Sequence, residues 1–188
     1  MPLASTFSKR SWAHRRWGCC ASFSLQPRAS GCWSIRAIRV STNDVTTAAR
    51  ALGVQIDVVQ ARDSGEIELA FATLVRSPVD ALLVGADSFF FNRRLQLAAL
   101  ATRHAIPAIY TAREFVEVGG LMAYGTNLTE VYRQLGDYTS RILKGGKPAD
   151  LPVVQSTKFE LVINAQIARM LGLTVPPSLL AVADEVIE

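Results

Sequence analysis

Polar side chains that could bind a small solute follow three apolar segments of the chain, residues 81–85, 106–110 and 121–124. An arginine can hold a carboxylate through two parallel hydrogen bonds, and an aspartate can hold an ammonium group. A tyrosine offers a ring face on which a ligand can stack. The candidate ligand-binding residues are Asp87, Ser88, Arg113, Glu114, Tyr124 and Asn127.

Each of these residue types also has a purely structural explanation. Ser88 and Asn127 can cap helices, because their side-chain oxygens can accept hydrogen bonds from the free N–H groups of a first helical turn. Arg113 can pair with a neighbouring glutamate, Glu114 or Glu117, on the surface, where an ion pair contributes little to stability. An aromatic ring at a strand end packs in a core as readily as it stacks on a ligand. The residue types alone leave both explanations open.

Signatures of catalysis are scarce in the same part of the sequence. From Ser41 onward the chain has no cysteine, and its only histidine is His104. No glycine-rich nucleotide-binding loop follows an apolar segment, and residues 144–147 follow a helical pattern, which is the wrong context for a phosphate loop. No serine stands in a nucleophile-elbow pattern. We therefore predict a binding role without enzymatic activity, and we expect no metal and no cofactor.

The surrounding sequence predicts the elements that must position the candidate residues. Apolar runs of strand length alternate with segments of helical periodicity. Such alternation predicts an α/β fold, a Rossmann-like parallel sheet with helices on both faces, whose ligands meet the loops at the carboxyl ends of the strands. The predicted strands are residues 54–59, 81–85, 106–110, 121–124 and 158–163. The predicted helices are residues 45–52, 64–77, 90–104, 113–118, 127–143 and 166–171, with an extended linker over 148–157.

The charge of the chain is unevenly distributed. The 188 residues carry a formal net charge of +4, and no run of about 20 apolar residues could span a membrane. The first forty residues hold seven basic and no acidic residues, which leaves thirteen basic against sixteen acidic residues, a net charge of −3, for the remainder. All three cysteines and all three tryptophans also lie before Ser41. The basic average therefore does not describe the regular part of the chain, for which we expect no nucleic-acid partner.

Residues 1–40 show no helical or strand period, and we interpret them as an irregular basic leader. The apolar stretch after Arg15 and Arg16 is too broken for a secretion signal, whereas a transit peptide fits the composition somewhat better. A nucleic-acid-binding arm would need its basic residues clustered, and here they are scattered. A non-native stretch, mistranslated from outside the natural reading frame, is another explanation. The spacing of Cys19, Cys20 and Cys32 matches neither a zinc site nor a disulfide framework.

Several long strings resemble the ABC-transporter solute-binding proteins of the tryptophan/tyrosine-binding-like class. The resemblance extends from about Ser41 to Glu188. The strings are ALLVGADSFF at 81–90, HAIPAIYTAREF at 104–115, GGLMAYG at 119–125, ILKGGKPADLP at 142–152, KFELVIN at 158–164 and LGLTVPPSLL at 171–180.

The resemblance implies a type I periplasmic-binding fold, in which hinge strands join two Rossmann-like lobes and a small-molecule or amino-acid-like solute lies in the cleft between them. It implies delivery of the solute to an ABC permease in the membrane, and a periplasmic location. It also places Asp87, Arg113, Tyr124 and Asn127 on cleft-facing loops of the second lobe. Because this chain has no convincing signal peptide, the protein as translated would stay in the cytoplasm.

The resemblance further predicts how the chain is divided. We expect residues 41–146 to form the second lobe and residues 147–188 to form a hinge or return segment with the C-terminal tail. A whole first lobe precedes this region in such proteins, so we expect a truncated form that binds solute weakly or not at all alone. Two alternatives are the effector-sensing domain of a transcription regulator, which would need a helix-turn-helix segment before Ser41, and a small α/β hydrolase.

Overall fold

A computed structural model describes residues 34–38, 49, 54–77, 79–153 and 158–188. The strands are β1 (Ser34–Ile38), β2 (Gln55–Val59), β3 (Ala81–Val84), β4 (Ala108–Tyr110), β5 (Met122–Thr126), β6 (Phe159–Asn164) and β7 (Glu185–Ile187). The helices are α1 (Ser64–Arg76), α2 (Ser88–Asn92), α3 (Arg94–Arg103), α4 (Glu114–Glu117), α5 (Leu128–Leu143), α6 (Ala165–Met170) and α7 (Pro177–Leu180), and Pro148–Asp150 forms a short 3-10 turn.

These strands form one seven-stranded sheet in the order β2-β1-β3-β4-β5-β6-β7. Neighbouring strands are parallel except for β5 and β6, which run antiparallel. The order of the first five strands is the 2-1-3-4-5 arrangement of doubly wound α/β proteins. The predicted α/β fold with a Rossmann-like sheet is thereby confirmed.

Side chains from both faces of the sheet build the core. Along β3, Leu82 and Val84 join a cluster with Phe71 of α1, whereas Ala81 and Leu83 join a cluster on the other face. All four β3 residues are buried. Because successive strand residues point to opposite faces, a strand buried on both faces must be apolar throughout, as the 81–85 run is. The burial of each large side chain stabilises the fold by roughly 1.5–3 kcal/mol.

Strand β1 lies inside the segment that we expected to be an irregular leader, although the family resemblance implies an opening strand before Ser41, for which only residues 35–40 are available. It pairs with β2 on one side and β3 on the other, so it occupies the interior of the sheet. The sequence signal for this strand is weak, because the charged Arg36 interrupts a five-residue segment. Pairing on both sides outweighs the local pattern here. The regular structure therefore begins before Ser41.

Other boundaries also differ from the sequence prediction. The single helix expected over 90–104 is divided into α2 and α3 at Arg93, whose φ of −102° and ψ of 17° depart from helical values. Strand β5 extends to Thr126, beyond the expected end at Tyr124, because β6 pairs with it as far as Thr126. Strand β7 forms in the acidic tail, for which we expected no strand.

Three predictions fall wholly or partly outside the described residues. Of the helix expected over 45–52, only Ala49 is described, and it is helical and buried. Pro78, expected to end the first long helix, is not described, but α1 does end at Arg76. The expected linker over 148–157 is described as far as Val153 and begins with the 3-10 turn.

Candidate functional site

The carboxyl ends of β3, β4 and β5 lie at one edge of the sheet, and the loops that follow them carry the candidate residues. Because β6 runs antiparallel to β5, and β7 runs parallel to β6, the amino ends of these last two strands lie at the same edge. We call this edge the carboxyl edge. Five strands thus contribute residues to the carboxyl edge, β3, β4 and β5 at their carboxyl ends and β6 and β7 at their amino ends.

Asp87 and Ser88 lie where β3 leads into α2. Asp87 caps the helix, since one of its carboxylate oxygens accepts a hydrogen bond of 2.7 Å from the backbone N–H of Phe89. Ser88 is the first residue of α2, and its side chain is exposed. The capping function that the sequence allowed for Ser88 is therefore fulfilled by the residue before it.

Arg113 is surrounded by carboxylates. Its Nε donates to Glu117 over 2.9 Å, one terminal nitrogen donates to Glu185 over 2.8 Å, and the other lies 3.8 Å from Glu160. The hydrogen bond to Glu117 is the main reason that the pKa of Arg113 is raised, and partial desolvation opposes it. Glu117, and not Glu114, is thus the surface partner among the two alternatives. Three carboxylates outweigh one guanidinium, so the surroundings of Arg113 favour a cationic group over an anionic one.

Asn127 joins this network from the next loop. Its Oδ1 caps α5 by accepting from the backbone N–H of Glu130 over 3.0 Å, and its Nδ2 donates to Glu160 over 2.8 Å. The Glu160 side chain is only 13% exposed. Glu160 therefore connects Arg113 and Asn127, two candidate residues that the sequence separates by fourteen positions.

Sequence reasoning missed Glu160. Its only signal is a single acidic residue within the apolar string of β6. Its position becomes meaningful through the antiparallel pairing that puts Glu160 opposite Gly125 at the end of β5. We define the Arg113 network as Arg113, Glu117, Asn127, Glu160 and Glu185.

Tyr124 and Glu114 flank this network. Tyr124 is half-buried, and its ring stacks on that of Phe159 with 5.9 Å between centroids and 19° between planes. Glu114 is half-buried at the start of α4, and its Oε2 atom is fully buried. Among the described residues, that oxygen has no hydrogen-bond partner. This oxygen of Glu114 is therefore shielded from solvent beside the Arg113 network.

Tight backbone packing holds the loop after β4 against strand β5. A Cβ atom on Gly125 would lie 1.7 Å from the carbonyl oxygen of Thr111. Only a residue without a side chain permits so close an approach. The loop that carries Arg113 is therefore held directly against the strand that leads to Asn127.

The arrangement suits the binding of a small polar molecule. The Arg113 network and Glu114 supply hydrogen-bonding and charged groups, and the Tyr124–Phe159 pair supplies aromatic surface. In the described part of the chain, no three His, Cys, Asp or Glu residues are grouped so that they could hold a metal ion. Nor does any helix there combine the length and the apolar character needed to cross a membrane.

Comparisons with known proteins give one family. A family model described as ABC transporter substrate binding protein matches residues 34–187. No curated protein sequence matches the chain significantly.

Solved structures share the fold. A domain from Streptococcus pneumoniae in complex with L-Trp matches with a TM-score of 0.79 and 26% identity over 94% of this chain and 62% of that one. A conserved domain protein from Vibrio cholerae matches with a TM-score of 0.79 and 20% identity over 93% of this chain and 60% of that one. A ligand-free, open substrate binding protein from Clostridium difficile matches with a TM-score of 0.56 and 23% identity over 85% and 56%. The chain therefore spans about three fifths of the length of these structures.

Proposed function

Because the chain belongs to the ABC transporter substrate-binding protein family, we propose that its carboxyl edge forms one wall of a cleft that holds a small solute. The observation that carries the proposal is the Arg113 network, which joins two candidate loops at the edge where open α/β sheets bind ligands. A substrate-binding protein acts by capture and release, so no catalytic group is assigned.

The chemistry of this wall supports an amino acid as the solute. An α-ammonium group would be attracted by the surplus of carboxylates around Arg113. The stacked rings of Tyr124 and Phe159 offer an apolar face for a side chain. The structural neighbour from Streptococcus pneumoniae is itself in complex with L-Trp. An aromatic amino acid is therefore the first solute to test.

The second wall of the cleft would correspond to the part of the structural neighbours that this chain does not match. Since the chain spans about three fifths of its structural neighbours, we propose that a further lobe completes the site and that the loaded pair delivers solute to an ABC permease. The family supports a periplasmic or extracellular location for the complete protein. One wall alone leaves much of the solute exposed to water, so the chain by itself should bind weakly or not at all.

A titration followed by two-dimensional ¹H–¹⁵N NMR tests the wall directly, because it detects binding too weak for calorimetry. With L-Trp in the millimolar range, we expect fast-exchange shifts of amides in residues 85–88, 111–114 and 124–127. L-Leu tests the preference for an aromatic side chain. Shifts spread evenly over the chain, or none at saturating L-Trp, would contradict the proposed wall.

Variants make the test specific. Glu160→Gln removes the charge that joins the two loops and should reduce the shifts. Glu68→Gln, an exposed residue of α1, removes the same charge far along the chain and should leave them unchanged. Isothermal titration calorimetry with aromatic and branched amino acids is the companion measurement. Micromolar affinity would overturn the expectation that the chain alone binds weakly.

A further inference from the structure

Helix α5 and the segment after it leave and re-enter the sheet at one place. The chain leaves β5 at Asn127 and returns to β6 at Lys158, where the Asn127 N–H donates to the Lys158 carbonyl over 3.3 Å. Both points lie at the carboxyl edge, because β5 ends there and β6 begins there. None of the sixteen residues of α5, all of which the structure describes, is buried. Packing against the core therefore does little to fix the direction in which α5 extends from the sheet.

The side chain of Asn127 connects α5 with the sheet. Its Oδ1 accepts from the backbone N–H of Glu130 in the first turn of α5 over 3.0 Å, and its Nδ2 donates to Glu160 of β6 over 2.8 Å. One amide group thus holds the helix with its acceptor and the sheet with its donor. A hydrogen bond to a charged group favours the bonded arrangement by roughly tenfold or more. We call the hydrogen bond between Asn127 and Glu160 the α5 latch.

The latch lies at the point where α5 can change direction. Strands β5 and β6 pair as far as Thr126 and Phe159. The next residue on the outgoing side, Asn127, has an extended backbone with a ψ of 108°, and the helix begins after it. Changes of direction between packed elements are absorbed by a few backbone angles at such junctions. Turning of α5 therefore needs rotation about Asn127 and Lys158, directly beside the latch.

We propose that the α5 latch is a conformational switch. When it is closed, α5 keeps one direction relative to the sheet, and when it opens, α5 can turn. Glu160 also lies 3.8 Å from Arg113, so the acceptor of the latch belongs to the charged wall as well. A second step rests on the proposed function: an ammonium group attracted to the Arg113 network competes with Asn127 for the charge of Glu160. Bound solute should therefore loosen the latch, which couples solute binding to the direction of α5.

Residual dipolar couplings of the full chain, measured in a dilute aligned medium without solute, test the latch alone. With the latch closed, the backbone amides of α5 and of the sheet share one alignment tensor, which we expect for the wild-type chain. Asn127→Asp keeps an oxygen that caps α5 but sets a carboxylate against Glu160, so the latch should be lost. The couplings of α5 should then fall below those that the sheet tensor requires, while Cα chemical shifts still show the helix.

Reversal of the hydrogen bond separates the latch from a general loss of structure. In the double variant Asn127→Asp, Glu160→Gln, the amide at position 160 can donate to the carboxylate at position 127, so the couplings of α5 should return to the sheet tensor. Glu160→Gln alone keeps an oxygen that can accept from Asn127, and it should have a smaller effect than Asn127→Asp. The matched control is Asn92→Asp, the same amide-to-acid exchange at an exposed position of α2, which should behave like the wild-type chain.

Three outcomes would overturn the latch. Couplings of α5 that already depart from the sheet tensor in the wild-type chain would show that the helix has no fixed direction to lose. Couplings that still fit the sheet tensor in Asn127→Asp would show that another contact fixes the direction. A double variant that departs as far as Asn127→Asp would show that the hydrogen bond is not what holds the helix.

L-Trp in the millimolar range tests the coupling to solute. In the wild-type chain, the couplings of α5 should fall relative to those of the sheet as the amides of the wall shift. Wall shifts without any change in the couplings of α5 would overturn the coupling and leave the proposed function standing. Absence of wall shifts at saturating L-Trp would overturn both the proposed function and the coupling, whereas the latch is decided by the measurements without solute.

Discussion

The hydroxyl of Tyr110 is a polar group buried in the core. The residue is 0% exposed at the end of β4, and its ring stacks on Phe115 with 4.6 Å between centroids. The hydroxyl has no hydrogen-bond partner among the described residues. Burial alone raises the pKa of Tyr110 well above its ordinary value, so the group stays neutral. The ring thus contributes to the core, whereas the hydroxyl opposes folding, because it gives up its bonds to water without replacement.

Tyr110→Phe should therefore stabilise the protein. The variant keeps the ring and removes the unpaired group, so we expect the free energy of unfolding in urea to rise by about 1 kcal/mol. Tyr110→Ala is the contrasting variant, since it also removes the ring and should lower that free energy by roughly 3–5 kcal/mol. A loss of stability in Tyr110→Phe would show that the hydroxyl has a partner in the folded protein.

The candidate site shows which residues a sequence can identify. Asn127 as a helix cap followed from local signals, because its partner is only three positions away. The link from Asn127 to Glu160 did not, because thirty-three positions separate the two residues and an antiparallel strand pair brings them together. Arg113 was predicted correctly as a charged group at the carboxyl edge. Its balance of charge became evident only when Glu160 and Glu185 were placed beside it.

At the scale of elements, two glycines differ in what they contribute to the stability of the fold, one in strand β5 and one in helix α5. Gly125 lies where β5 meets the loop after β4, and a side chain there would collide with the Thr111 carbonyl. Gly136 lies within α5, and a Cβ there would meet no atom within 4 Å beyond its chain neighbours and the adjacent backbone of its own helix. The first glycine is required by the fold, whereas the second only weakens a helix.

The same substitution should consequently act in opposite directions. Gly125→Ala forces the loop and the strand apart, and we expect it to lower the free energy of unfolding by more than about 3 kcal/mol. Gly136→Ala should raise the helicity of α5 and stabilise the helix by about 0.5–1 kcal/mol. Urea denaturation and circular dichroism measure both effects. A soluble Gly125→Ala chain with wild-type stability would mean that the two backbones do not approach so closely.

Element prediction succeeded where one physical signal dominated. The buried strands β3 and β4 are short apolar runs, and α1 and α5 have clear helical periods. It failed where pairing at a distance decides the outcome. Strand β1 is short and is interrupted by the charged Arg36, but it has neighbours on both sides. The last two residues of β5 are extended because β6 pairs with them. Helix α5 was predicted as an amphipathic element, yet no local signal indicated that its apolar side would stay uncovered.

At the scale of the whole molecule, the distribution of charge separates two regions with different character. The five basic residues of positions 1–33 are accompanied by no acidic residue. Residues 34–188, which include the match to the family model, hold the other fifteen basic residues and all sixteen acidic ones, a net charge of −1. The overall charge of +4 therefore comes from the first thirty-three residues and not from the α/β part of the chain. Basic proteins are retained by polyanions whether or not they bind nucleic acid specifically.

Removal of residues 1–33 should abolish the retention of the protein by polyanions. At neutral pH and low salt, we expect the full chain to be retained on a cation exchanger and on immobilised heparin, and to elute as salt screens the attraction. A chain of residues 34–188 should pass through both columns.

The shorter chain should also give the same NMR shifts with L-Trp as the full chain, because the Arg113 network lies entirely within it. Retention of the shorter chain would place a basic surface on the α/β part itself. A loss of the L-Trp shifts would instead show that the first thirty-three residues contribute to the solute-binding wall.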